Sequence, residues 1–134
     1  MANPVPHSSP VPIRIAVAGA SGRMGRMLIE AIRESDDCVL AGALDVPASP
    51  GIGSDATAFL GYASGVPITA DLDCGLATAD VLIDFTRPEG TLAHLTACVR
   101  HGVQAVVGTT GFSDAQKAEI AGHAEHIAIV MAPN

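Results

Sequence analysis

Gly19, Gly22 and Gly25 separate a short apolar run, Ile13 to Ala18, from an amphipathic stretch that continues to about Glu34. A strand, a glycine turn and a helix in that order leave the first helical amides unpaired and aim the positive end of the helix dipole past the strand end. Such a turn suits a pyrophosphate, so Gly19, Ala20, Ser21, Gly22, Arg23 and Met24 are read as a dinucleotide-binding turn. The spacing is a variant of G-x-G-x-x-G: Ala20 takes the first glycine position, Gly22 and Gly25 the second and third, and Gly19 precedes them. Gly22 leaves room for phosphate to approach the backbone, and Gly25 lets the helix pack closely on its strand. Any tight strand-to-helix connection also uses glycine for structural reasons, so the turn gains weight only beside other features.

The first of these is Asp45, which ends a second apolar run, Cys38 to Leu44, at the distance from the turn where an acid reads adenosine ribose hydroxyls. A carboxylate there repels a 2′-phosphate, which favours NADH over NADPH. Arg23 and Arg26 lie close enough in sequence to the turn to offset that repulsion, so both cofactors stay open. Taken alone, Asp45 would be read as the start of the Pro-rich loop Val46 to Gly51.

The chain has 134 residues, 49% of them apolar, and carries a formal charge of −7. That length fits one domain with a real core. The acidic balance excludes nucleic acid and anionic membrane as partners and leaves a small diffusible ligand. Three cysteines, Cys38, Cys74 and Cys98, are odd in number and scattered, which predicts reduced thiols and a cytoplasmic protein. Residues 1–12 are proline-rich without the basic and apolar regions of a signal peptide, and are read as a disordered leader before a domain at 13–134.

Apolar runs and helix-period segments alternate along the domain. Strands are expected at Ile13–Ala18, Cys38–Leu44, Val66–Thr69, Val81–Phe85, Ala105–Val107 and Ile127–Met131. Helices are expected at Arg23–Glu34, Asp71–Ala77, Glu89–His101 and Asp114–Glu125, with a short one at Asp55–Leu60. Runs such as Val81-Leu82-Ile83 are apolar without alternation, as when helices cover both faces of a parallel sheet. The pattern is that of an α/β doubly wound fold.

Ligands of such sheets bind beyond the carboxyl ends of the strands, where three further segments fall: Phe85 to Thr91, Gly108-Thr109-Thr110-Gly111-Phe112 and Ala132-Pro133-Asn134. Thr109 and Thr110 offer hydroxyls and amides that orient a carboxamide, and Asn134 offers a donor and an acceptor. On turn composition alone, Gly108 to Gly111 reads as an ordinary loop. Arg87, beside Pro88, reads as a helix-start residue and is left outside the site.

These segments, in this order with the glycine turn, resemble the N-terminal domain of bacterial 4-hydroxy-tetrahydrodipicolinate (dihydrodipicolinate) reductases from Ile13 to Asn134. The resemblance implies a Rossmann-like domain and hydride transfer from NADH or NADPH to a cyclic dicarboxylate in diaminopimelate and lysine synthesis. It places Gly19 to Met24 on pyrophosphate, Asp45 on the adenosine ribose, and Gly108, Thr109, Thr110, Ala132, Pro133 and Asn134 along the nicotinamide end.

In that family the proton donor and substrate contacts belong to a Ser-His-His-Arg-His-Lys motif in a second domain, which is absent before Asn134. The resemblance therefore implies no catalytic residue within this chain, no turnover by it alone, and a homotetramer for the complete protein. A stand-alone nucleotide-sensing module is the alternative. The five histidines do not replace the missing donor: His7 is in the leader, and the helical pairs His94/His101 and His123/His126 are read as solvated or partner-facing. No metal site is expected from them.

Overall fold

The computed structural model describes residues 11–132. The glycine turn sits between β1 (Ile13–Ala18) and α1 (Arg23–Glu34), and Asp45 directly follows β2 (Cys38–Leu44). The chain continues through β3 (Ile68–Thr69), α2 (Leu72–Leu76), β4 (Val81–Asp84), α3 (Pro88–His101), β5 (Gln104–Val107), α4 (Asp114–His123) and β6 (Ile129–Met131). The short helix expected at Asp55–Leu60 is a single 3₁₀ turn at Ala58–Leu60. The last strand is shorter than expected because the Ile127 amide bonds the His123 carbonyl at the end of α4, so the chain joins the sheet only after it.

The strands form one sheet in the order β3-β2-β1-β4-β5-β6, with every neighbouring pair parallel. Short apolar strands joined by helices give this result because a parallel connection must cross over the sheet. One face carries α1 over Ile15, Val17, Ala43 and Ile68. The other carries α2, α3 and α4 over Ala16, Ala18, Leu82, Ala105 and Val107. Strand alternation puts Ile83, Val106 and Val130 on the α1 side, and among the described residues Val130 stays 57% exposed, so that side of β6 is open.

Local chemistry explains the helix boundaries. Asp71 caps α2 through the Cys74 amide, and Ser113 and Gln116 form a reciprocal capping box on α4. Pro88 opens α3 and Gly102 closes it in the left-handed region. Glycine lets α2 sit close on β2, since a Cβ on Gly42 would lie 1.9 Å from the Gly75 carbonyl oxygen.

Because β1 is flanked by β2 and β4, the chain leaves it in opposite directions, and the connections after β1 and β4 part to opposite faces. A crevice opens at that switch point, at the carboxyl ends of the strands.

Candidate dinucleotide-binding cleft

A cleft of about 760 Å³ fills this crevice. One wall is the glycine turn and the start of α1, with Gly19, Gly22, Arg23 and Met24 all lining it. Gly19 has φ +71°, a conformation that strains any side chain, and its position brings the turn back under α1. Gly25 is a packing glycine, as expected: a Cβ there would lie 2.0 Å from the Gly19 carbonyl oxygen.

The start of α1 carries the free donors. No side chain caps it, no acid stands in its first turn, and the first helical bond runs from the Arg26 amide to the Gly22 carbonyl. The amides of Arg23, Met24 and Gly25 are therefore the orphan donors of this helix, at a cleft-lining turn. The other two turn residues sit differently. Ala20 is buried with its amide on the Leu44 carbonyl, and the Ser21 amide donates to Asp45 at 2.9 Å.

Asp45 lines the cleft and is half-buried. One of its oxygens accepts the Ser21 amide and the other accepts the Val46 amide at 2.8 Å, so this carboxylate also ties the end of β2 to the turn after β1. Each oxygen keeps a further acceptor site, which a ribose hydroxyl can use. Of the two arginines near the turn, Arg23 lines the cleft, whereas Arg26 turns to the other side and lies over the Phe59 ring at 5.1 Å.

The opposite wall was only partly legible in sequence. It comprises Phe85, Thr86 and Arg87 after β4, with Glu89, Gly90, Ala93 and His94 on α3. Arg87, expected outside the site, is exposed on this wall. His94, expected to be solvated, has a side chain only 14% exposed, with Nδ1 2.6 Å from the Asp84 carboxylate. Asp84 is buried, and its other oxygen accepts both the amide and the hydroxyl of Thr86, at 3.0 and 2.6 Å. His101, at the far end of the same helix, pairs with the exposed Asp73.

The Gly108 to Thr110 segment lies beyond this cleft wall. Gly108 packs against an aromatic ring: a Cβ there would fall 1.9 Å from the Phe85 ring, so the ring lies directly on the glycine. The buried Thr109 hydroxyl accepts the Thr86 amide at 3.0 Å and shares a hydrogen bond with the Thr91 hydroxyl at 2.8 Å. It is thus committed within the protein rather than free to orient a carboxamide. Thr110 is exposed, and Ala132 is exposed with its amide on the Val107 carbonyl. Pro133 and Asn134 lie outside the described residues.

A parallel sheet in this order with an uncapped glycine turn at its switch point defines a Rossmann-like α/β domain. A family model described as dihydrodipicolinate reductase, N-terminus, matches residues 13–134, and the chain belongs to that family. It is 63% identical over 122 residues to the 4-hydroxy-tetrahydrodipicolinate reductase of Herminiimonas arsenicoxydans and 62% identical to that of Cupriavidus taiwanensis. The match covers 91% of this chain and 46% of each relative, so the chain spans about half the length of these relatives. A solved structure of dipicolinate-bound dihydrodipicolinate reductase from Paenisporosarcina sp. TG-14 superimposes with a TM-score of 0.74 at 28% identity. That match covers 92% of this chain and 48% of the other.

Proposed function

We propose that this chain is the cofactor-binding half of an NAD(P)H-dependent reductase that converts 4-hydroxy-tetrahydrodipicolinate to tetrahydrodipicolinate in diaminopimelate and lysine synthesis. The observation that carries the reading is the uncapped start of α1 on the switch-point cleft: orphan amides, the helix dipole and Arg23 together suit a pyrophosphate. Asp45, at the end of the neighbouring strand, would take the ribose hydroxyls while holding the turn through Ser21. Its charge, together with the diversion of Arg26 onto Phe59, favours NADH over NADPH.

The nicotinamide end would run toward Gly108, Thr109, Thr110, Ala132, Pro133 and Asn134. When bound, the cofactor would supply the hydride. The chain's own part is to grip, orient and shield it. The cyclic dicarboxylate would be met by a second domain outside this chain, in a cytoplasmic enzyme that assembles as a homotetramer. On this reading residues 13–134 bind the cofactor and do not turn over substrate alone.

Calorimetric titration with NADH and NADPH side by side tests the proposal. NADH should bind more tightly, and Asp45→Ala should weaken it by roughly tenfold or more, as expected for loss of hydrogen bonds to a charged group. Unchanged NADH affinity in Asp45→Ala would refute the ribose assignment, and no binding of either cofactor would refute the reading as a whole.

A further inference from the structure

We infer that His94 is a specificity-determining residue that recognises the exocyclic amine of the cofactor's adenine, with Asp84 as the positioning residue that sets its tautomer. The inference rests on the reading of the cleft as a dinucleotide site and goes beyond it, to how the base is told apart from its relatives.

Asp84 is buried, and an ionised carboxylate only accepts hydrogen bonds. Its Oδ2 lies 2.6 Å from His94 Nδ1, so in the neutral ring the proton belongs on Nδ1. Nε2 then carries a lone pair. That atom has no hydrogen-bond partner among the described residues, yet no buried side-chain nitrogen or oxygen is left unpartnered, so Nε2 is open to solvent. His94 lines the cleft, and an acceptor there repels phosphate and invites a donor.

The cleft's position selects which donor. Its walls come from the ends of β1, β2 and β4 and the starts of α1, α2 and α3, while Gly108 to Thr110 and Ala132 stay outside it. It is therefore the adenosine half of the site, with Asp45 on the ribose and apolar Val46, Pro47, Ala70 and Leu72 left to cover a flat base. Adenine offers a 6-amino donor. Hypoxanthine, otherwise nearly the same shape, offers a 6-oxo acceptor that would meet the Nε2 lone pair.

Asp84→Asn reverses this arrangement. The Thr86 amide can only donate, so it holds the Asn carbonyl at the Oδ1 position and turns the NH₂ toward His94 Nδ1. Nδ1 must then accept, which moves the proton to Nε2 and presents a donor to the cleft.

The test titrates the chain with NADH and with its hypoxanthine analogue. Wild type should favour NADH by about tenfold or more, as expected for a lone pair left facing an acceptor. His94→Ala should bring the ratio near one, and Asp84→Asn should bring it to one or below. A merely structural His94 would weaken both dinucleotides equally and leave the ratio unchanged, which overturns the inference, as does equal binding by wild type. The His94→Ala ratio decides the matter even if Asp84→Asn fails to fold. Failure of wild type to bind either dinucleotide overturns instead the cofactor reading beneath it.

Discussion

The two walls of the cleft are built on different principles. The β1–α1 wall works through backbone: Gly19 in the left-handed region, Gly22 without a side chain, and the orphan amides at the start of α1. The β4–α3 wall works through side chains, with Asp84, Thr86, Thr91, His94 and Thr109 joined in one buried or half-buried hydrogen-bonded network. A backbone wall restricts residue type at consecutive positions and so is written locally. A side-chain wall is assembled from distant positions by strand pairing, here Asp84 opposite Val107, and by the shared face of Thr91 and His94 on α3.

The sharpest way to break the comparison is at Gly25. Its Cβ would lie 2.0 Å from the Gly19 carbonyl oxygen and 2.9 Å from the Ala20 Cα, and backbone cannot turn aside. Gly25→Ala should therefore cost about 3 kcal/mol of stability, the upper range for overpacking, measured by denaturant midpoint. In Gly22→Ala the nearest atom is the Gly19 carbonyl oxygen at 3.3 Å, a far milder contact, so the stability loss should be smaller than in Gly25→Ala and NADH affinity should carry the larger effect. If the two variants unfold at the same midpoint, close packing is not what Gly25 provides.

Thr109 probes the side-chain wall. Thr109→Val keeps the shape but removes the acceptor for Thr86 and the partner of Thr91, and should cost about 1–2 kcal/mol. Thr109→Ser retains the hydroxyl and should recover most of that. Were the valine variant as stable as wild type with only cofactor binding lost, the hydroxyl would belong to the ligand instead of the network.

These contrasts explain what could be read in advance. The strand and helix order and the all-parallel sheet follow from apolar runs whose type and length leave few alternatives, and Gly19, Gly22 and Gly25 announce the turn. Asp45 could be placed at a strand end, yet its bond to the Ser21 amide depends on β1 and β2 lying side by side. His94 was misread because helical spacing shows which residues share a face, not which neighbour that face meets. The packing reason for glycine at 108, the Phe85 ring, was not legible locally because it comes from the adjacent strand end. The signal that could have found this wall was the concentration of polar residues in Asp84-Phe85-Thr86-Arg87 at the end of an apolar strand.

The last effect, read through pH, comes from the long connection between β2 and β3, where a single side chain organises backbone. Asp55 accepts the amides of Thr57, Ser64 and Gly65, together with the Thr57 and Ser64 hydroxyls, and these bonds hold its carboxyl well below the usual carboxylate range. Asp80, held down by Arg14, and Asp73, held down by His101 and Arg100, shift the same way. A group whose pKa is lower when folded binds fewer protons than in the unfolded chain, so it stabilises above the unfolded value of about 4 and loses that contribution as pH falls toward the folded one. Stability should be flat through neutral pH and decline below about pH 4. Asp55→Asn should flatten that acid limb, because the variant has no proton to gain there. An unchanged limb in denaturant titrations of Asp55→Asn would move its origin to the ion-paired carboxylates Asp73 and Asp80, where added salt should weaken it.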